Sequence, residues 1–588
     1  MNRLKGIPYG ISDFNRLRND NFYFVDKTIY LPLIERMPSY LSLTRPRRFG
    51  KSLFLSMMRT YYDLLQRDNF DRYFGDLWIG AHPTDQRNHY QVLYFDFSKA
   101  GCSVPGDGMM ASFNEYSSLV INQFADDYAS FYDPDFKSTV ESISSAKAKL
   151  SYIELKAKAK GYPLYLIIDE YDNFTNVILS EHGQKMFHDL THASGFYREY
   201  FKQYKGMFDR IFLMGVSPVT LDDLSSGYNI DWNISTDSRF NAMMGFSETE
   251  VREMFRYYQE NDALPGDIEA MIAEMKPWYD NYCFARMSLG DDRVFNCDMT
   301  LYYLRSQFDF HRSPEEMVDK NIRTDYSKLK MLVRIDHDSA HEGSRMSTIE
   351  EIAAKGEILV NLHTSFPAER VADVDNFRSL LYYYGLLAMC GTRGDRLRMC
   401  IPNHCVREQY FGFLREYYQQ AHPLDLSRLK DQIDDLAYDG VWKPFFESIA
   451  SAYRENSSVR DGMEGERNLQ GFLKAYLALA SYYLVEPELE MNYGYCDFFL
   501  LPDKQRYPDI EHSYIIELKY AARTATDAEL AMQADEGHRQ LLQYSEDKVA
   551  RQLVSRTTFH RLLIQFRGWD MVRLSLIHIS EPTRRVVI

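Results

Sequence analysis

Arg45, Pro46, Arg47, Arg48, Phe49, Gly50, Lys51 and Ser52 follow one another in this chain, and far downstream an apolar stretch ends in Asp169 and Glu170. The first run fits the phosphate-loop pattern GxxxxGK[ST], except that Arg45 stands where the first Gly belongs. Such a loop turns backbone N–H groups and the positive end of the following helix toward phosphate, and Lys51 adds a point charge. Ser52 offers a hydroxyl to Mg²⁺. Phosphoryl transfer also needs an acid from a neighbouring strand to hold the metal, the part Asp169 can play, and a group that orients or deprotonates the attacking water, the part Glu170 can play. Phe49 and Gly50 complete the expected nucleotide-contacting loop. Its arginines Arg45, Arg47 and Arg48 either fork onto phosphate oxygens or stand solvated in the loop.

A second group of chemistry-bearing residues lies near the C-terminus. Residues 495–501 and 514–520 read as two strands joined by a turn rich in Pro, Asp, Lys and Arg at 502–509. The two-residue period of a strand puts Glu517 and Lys519 on one face and Leu518 on the other, and Asp497 on the preceding strand can come alongside Glu517. Two carboxylates on adjacent strands suit Mg²⁺, which keeps several waters and accepts phosphate oxygens. Lys519 beside them would stabilise charge developing on a scissile phosphate. The same residues also fit an exposed strand face with a cross-strand ion pair, which is worth little energetically.

Both groups must be held by larger elements. Short apolar strands at Tyr40–Thr44, 92–97, Leu164–Asp169 and 211–216 alternate with longer helical patterns, which predicts an α/β core with a parallel sheet over residues 1–245. Ligands of such sheets sit at the strands' carboxyl ends. Ser217 falls at one of them, either as a sensor of the terminal phosphate or as a turn hydroxyl before Pro218. Ser247 to Glu250 forms a capping box that opens a helical lid over 246–340. Trp278, Tyr279, Asp280, Asn281 and Tyr282 read as an aromatic turn, 341–455 as a helical connecting region, and 473–485 as a buried helix carrying Lys474. Residues 456–573 then hold the second constellation. Residues 574–584 read like translated sequencing-library adapter, which places the natural end near Arg573 and makes 574–588 an artefact tail.

The 588 residues, 45% hydrophobic and 26% charged, have ordinary globular composition and predict about three or four domains. A net charge of −16 argues against a protein that coats nucleic acid indiscriminately, so any DNA contact has to be local. The seven cysteines lack CxxC pairs, which suits a reducing cytoplasm better than a disulfide framework or a zinc site. His404 and Cys405 read as packing. No stretch approaches the run of about 18 apolar residues that a membrane helix needs.

Both constellations, in this order, resemble a bacterial and archaeal family that joins an AAA-type ATPase-like domain to a PD-(D/E)XK nuclease-like domain. The likeness rests on Gly10-Ile11-Ser12-Asp13-Phe14, Tyr23-Phe24-Val25-Asp26-Lys27-Thr28, the 45–52 loop, Ile168-Asp169-Glu170-Tyr171-Asp172, Gly215-Val216-Ser217-Pro218 and the 278–282 turn. It implies a P-loop fold with a helical lid, and a C-terminal α/β domain of restriction-endonuclease type. It also implies ATP and Mg²⁺ as cofactors, with Asp26, Lys27 and Thr28 near the nucleotide base. Asp497, Glu517 and Lys519 become the implied metal and catalytic set, assisted by Glu466 and Gln540. AAA relatives admit a homo-oligomer. Two readings follow: a cytoplasmic ATPase whose nucleotide state controls a Mg²⁺-dependent DNA nuclease, or an ATP-dependent switch whose C-terminal domain only grips nucleic acid or protein.

Overall fold

The computed structural model describes residues 3–100, 107–173, 176–177, 196–219, 231–291, 293–319, 326–334, 339–367, 370–371, 373–421, 424–457, 465–480, 482–491, 494–504, 506–545, 547, 551–552, 554 and 556–577. The chain folds as two compact units, residues 1–345 with 359–406, and residues 346–358 with 407–588.

The first unit is built on a five-stranded parallel sheet. In chain order its strands are β1 (Tyr40–Thr44), β2 (Gln91–Asp96), β3 (Leu164–Asp169), β4 (Arg210–Gly215) and β5 (Trp232–Asn233), and in space they run β2-β3-β4-β1-β5. Every residue of β3 is buried, as expected of a parallel strand covered on both faces, and its sequence is correspondingly apolar up to Asp169. The register sets Asp96 beside Asp169 and Thr44 beside Gly215, so the four longer strands finish level along one edge of the sheet. Helix α1 (Lys51–Tyr62) leaves that edge directly after β1, and Gly50 caps it at φ +86° with no side chain bonding the first amides.

Beyond the sheet, Ser247 caps helix Glu248–Glu260 in the expected capping box with Glu250. Helices Ile268–Tyr279 and Cys297–Phe310 follow, and their apolar faces form one buried cluster around Met254, Phe255, Met275 and Tyr303. The region expected to be a helical connector, 341–455, is mainly helix, in elements such as Val374–Tyr383, His404–Ala421 and Lys443–Ser457. It contains an antiparallel hairpin, β6 (Ala388–Arg393) with β7 (Arg396–Cys400), turning at Gly394 with φ +65°. Part of it also folds into the first unit and part into the second.

The second unit centres on a mixed five-stranded sheet. Its strands, β8 (Tyr483–Met491), β9 (Gly494–Pro502), β10 (His512–Ala521), β11 (Thr558–Arg567) and β12 (Asp570–Leu576), lie in that order. Only β10 and β11 pair in parallel, and the connection between them carries helix α3 (Asp527–Ser545), the crossover that parallel neighbours require. Helix α2 (Glu466–Leu477) precedes the sheet. The buried helix expected at 473–485 is therefore half right, since the helix ends at Leu477 and a strand begins at Tyr483. Strand β12 pairs with β11 through Leu576, so the stretch read as adapter contributes three residues to the ladder before leaving the described residues. Ladder bonds are made by backbone, and an edge position accepts almost any side chain.

Candidate nucleotide and metal sites

The phosphate loop is held from below by its own arginine. Arg45 is 1% exposed. Its guanidinium donates to the carbonyls of Thr44 (2.9 Å), Ser235 (2.7 Å) and Phe240 (2.9 Å), and it stacks 4.4 Å from the Phe284 ring. Burial pulls its pKa down to about 10. The expectation that this side chain contacts phosphate or stands solvated is thus overturned: its donors are turned into the protein, toward carbonyls about 190 residues away in the chain. Arg45 is also absent from the left-handed residues of the loop, so the first Gly of the pattern is not required here. The left-handed positions are Arg48 (φ +68°) and Gly50 (φ +86°), the kind of turn in which backbone amides line a concavity.

The remaining loop residues divide between packing and pocket. Phe49 is buried and meets Tyr282 and Phe284 edge-on, at 4.8 and 5.5 Å between ring centres, so its ring serves the core and only its backbone is left for a ligand. Arg48 pairs with Asp298 at 2.9 Å. Gly385, at φ +76°, leaves room for Pro46, since a Cβ there would lie 2.8 Å from the Pro46 ring. Tyr282 of the aromatic turn and the Gly385 turn therefore brace the loop, a role that the sequence reading did not assign to either.

Lys51 is buried, and its ammonium donates to the carbonyls of Arg45 (3.2 Å) and Pro46 (3.0 Å). Burial lowers its pKa to about 8, against the pull of Asp169, Glu170 and Asp172. Ser52 Oγ donates to Asp169 Oδ2 at 2.6 Å, and the Tyr94 hydroxyl reaches the same oxygen at 3.3 Å. Burial raises the Asp169 carboxyl, with the Ser52 bond and Lys51 opposing. A hydroxyl and a carboxylate side by side at the start of a phosphate-loop helix are the oxygen donors that Mg²⁺ prefers, so these two residues fit that ion.

Glu170 adopts a left-handed backbone at φ +49°, an uncommon conformation for a residue with a side chain. Its surroundings hold it there. The Glu170 amide donates to Asp169 Oδ1 (3.0 Å), and the next amide, of Tyr171, donates to the Met214 carbonyl (3.2 Å). Asp172, 2% exposed, accepts from the amides of Val216 (3.1 Å) and Ser217 (2.6 Å) and so clamps the end of β3 to that of β4. Gly215 makes the clamp possible, because a Cβ there would sit 2.3 Å from Asp172 Oδ1. Ser217 is buried, its hydroxyl accepting from the Val219 amide at 3.3 Å. Of its two readings, that bond fits the turn hydroxyl. Asp172 was the residue missed; its only signal was its place in the Ile-Asp-Glu-Tyr-Asp run.

A cavity of about 430 Å³ opens beside this machinery, lined on its polar part by Arg47, Gly50, Lys51, Ser52 and Glu170, and on its apolar part by residues such as Phe24, Val25, Phe246 and Met254. That volume is in the range of small-ligand pockets. Lys27 lines it and pairs with Glu250 at 2.7 Å. Asp26 and Thr28, expected near a nucleotide base, are instead bonded to each other and to the backbone at Trp78 and Ile79.

In the second unit, the β9–β10 register runs from Leu500 opposite Tyr514 to Phe498 opposite Ile516, and Asp497 and Glu517 are the next residues along their strands. Leu518 points into the core at 0% exposure, as the strand period predicts, while Glu517 and Lys519 form an ion pair at 2.9 Å. Gly537 of α3 leaves room for the Leu563 side chain, since a Cβ there would lie 2.6 Å from Leu563 Cδ1, and it would also touch the Lys519 stem at 3.4 Å. Asp497 accepts from Gln470 Nε2 (3.1 Å) and from the Leu518 amide (2.8 Å). Burial raises both carboxyl groups, each acid reinforced by a like charge nearby and opposed by Lys519. Glu517 Oε2 is buried with no hydrogen-bond partner. An acid pair with one orphaned carboxylate oxygen fits a hard cation. Among the described residues no group of three or more His, Cys, Asp or Glu forms a metal cage. Glu466 opens helix α2 and adds negative charge to the pair, and Gln540 lies on α3.

Residues 8–225 match the predicted AAA-ATPase family, and residues 464–575 match the PD-(D/E)XK nuclease superfamily. The chain therefore joins an N-terminal AAA-ATPase-like domain to a C-terminal domain of the PD-(D/E)XK nuclease superfamily. An uncharacterized protein in the vnfD 5′ region of Azotobacter chroococcum mcd 1 is 29% identical over 318 residues, which span 52% of this chain and 53% of that protein, about half its length. A solved structure of the Aeropyrum pernix Orc1 protein in complex with DNA aligns with 69% of this chain and 93% of its own, at 9% identity and a TM-score of 0.25. No described helix is long and apolar enough to cross a membrane.

Proposed function

We propose that the chain binds and hydrolyses ATP with Mg²⁺ in the first unit and cuts DNA with Mg²⁺ in the second, the nucleotide state governing the cut. The observation that carries the first half is the meeting of Lys51, Ser52 and Glu170 at one cavity, with Asp169 bonded to Ser52. Lys51 and the amides at the start of α1 would hold the phosphates, and Ser52 and Asp169 would hold the ion, which supplies charge neutralisation. Arg47, lining the cavity, is free of the structural duty that occupies Arg45. Glu170, poised by its clamped backbone, would orient the attacking water and take its proton. In the second unit Asp497 and Glu517 would hold Mg²⁺, which polarises the scissile phosphate, and Lys519 would stabilise the charge that develops on it. A reducing, cytoplasmic setting and assembly of several copies belong to this reading as its expected context.

Nucleotide binding and turnover test the first half together. Lys51→Ala is expected to lose ATP binding, whereas Glu170→Gln should keep ATP bound and slow its hydrolysis by about 100-fold or more, the share of a general base. Undiminished turnover in Glu170→Gln would remove that residue from the mechanism, and undiminished binding in Lys51→Ala would remove the site.

A further inference from the structure

The acid pair is served unequally by its surroundings. Asp497 is bonded at both carboxylate oxygens, Oδ1 by Gln470 Nε2 at 3.1 Å and Oδ2 by the Leu518 amide at 2.8 Å. Glu517 is bonded at Oε1 by Lys519 at 2.9 Å and left unpartnered at Oε2. One of the donors to Asp497 is backbone of β10 and moves only with the sheet. The other is a side chain from a separate element, helix α2. The β8–β9 ladder holds the Asp497 backbone, with Phe498 opposite Pro487 and Cys496 opposite Leu489, and the two bonds to its oxygens orient the carboxylate.

We infer that Gln470 is the positioning residue of the second unit's metal site: its amide fixes the Asp497 carboxylate so that its remaining lone pairs and the open Glu517 Oε2 converge on one cation. The inference rests on the Mg²⁺-binding reading of Asp497 and Glu517. A metal-ligating carboxylate is itself oriented by hydrogen bonds from outside the ligand set, and loss of such a partner typically weakens metal binding 10- to 100-fold. Gln470 is only half-buried, so a substitution that keeps its length removes the donor with little effect on packing.

Mn²⁺, an oxygen-seeking stand-in for Mg²⁺, is the probe, and its binding to the full chain without nucleotide is read by electron paramagnetic resonance or calorimetry. Gln470→Met, of similar length but without a donor, is expected to weaken Mn²⁺ binding about 10-fold or more with an unchanged metal-free melting temperature. Gln470→His, whose ring N–H can replace the donor, is expected to retain most of the affinity. Wild-type affinity in Gln470→Met, or equal losses in the Met and His variants, would overturn the positioning role while leaving the metal site standing. Absence of Mn²⁺ binding in the wild-type second unit, seen as no change on Glu517→Gln, would overturn the inference together with the reading on which it rests.

Discussion

Ser52 Oγ and Asp169 Oδ2 lie 2.6 Å apart, joining the start of α1 to the end of β3 at the cavity that Ser52 lines. A hydroxyl and a carboxylate brought together from positions 117 apart in sequence are placed by the sheet: β1 delivers the loop and α1, β4 intervenes, and β3 ends level with both. Asp169→Asn keeps the shape and one hydrogen bond but removes the charge that would hold the ion. ATP turnover in this variant is expected to fall by about 100-fold, a loss of roughly 2.7 kcal/mol of transition-state stabilisation, with nucleotide still bound. Steady-state hydrolysis beside equilibrium ATP binding reads this directly, and full activity in Asp169→Asn would exclude a metal-holding role.

Arg45 makes a prediction of the opposite kind, about stability rather than chemistry. Arg45→Met leaves the carbonyls of Thr44, Ser235 and Phe240 without their shared donor, at a cost of about 3 kcal/mol or more. Arg45→Lys should recover little, because a single ammonium cannot reproduce the fork. Denaturant unfolding of the first unit measures both. A wild-type unfolding midpoint combined with lost ATP binding would return Arg45 to the phosphate site.

Gly215→Ala tests the clamp behind Glu170. The added methyl would meet Asp172 Oδ1 at 2.3 Å and the Tyr171 ring at 2.6 Å. Overpacking of this kind costs about 1–3 kcal/mol, and here it strikes the residues that hold the left-handed Glu170. Hydrolysis is expected to drop more than ATP affinity does. Equal loss of the two would point to simple misfolding of the sheet edge.

How far these features can be read without coordinates differs from residue to residue. Four of the five strands of the first sheet and their polar ends were legible because a parallel strand buried on both faces is a continuous apolar run, and Leu164–Asp169 is one, whereas the two-residue strand Trp232–Asn233 is too short to show such a run. The Glu517, Leu518, Lys519 alternation was legible from strand period alone. Arg45 was not, because nothing local reveals that its partners are carbonyls of Ser235 and Phe240. Ser217 carried two readings that sequence could not separate, since both need a hydroxyl at a strand end. The β6–β7 hairpin did leave a signal, the Gly394-Asp395 pair between short strands, which the helical reading of 341–455 passed over. Gln470 left none, as its bond to Asp497 joins a helix and a strand from opposite sides of β8 in the chain.

The acid pair of the second unit should make stability depend on pH. Burial raises both Asp497 and Glu517 above the ordinary carboxylate range. A carboxyl raised in the folded state supports folding at pH below its unfolded value, and this support is lost as pH climbs through the raised value. Metal-free protein should accordingly lose stability in the second unit as pH rises from about 4 toward neutrality, and Mg²⁺ at neutral pH should restore it by binding the charged pair. Thermal unfolding across that window, with EDTA or with Mg²⁺, shows the trend. A flat profile that ignores Mg²⁺ would remove the pair from consideration as a metal site.

On the proposed function, Asp497, Glu517 and Lys519 form a DNA-cutting centre under nucleotide control. The most direct measurement is Mg²⁺-dependent cleavage of linear double-stranded and single-stranded DNA by the full chain, with and without ATP, beside Lys519→Ala and Lys51→Ala. Cleavage is expected to disappear in Lys519→Ala and to lose its response to ATP in Lys51→Ala. Cleavage that survives in Lys519→Ala, or its absence from a wild-type protein that folds and hydrolyses ATP, would contradict this function, the latter leaving an ATP-dependent switch whose second unit only binds.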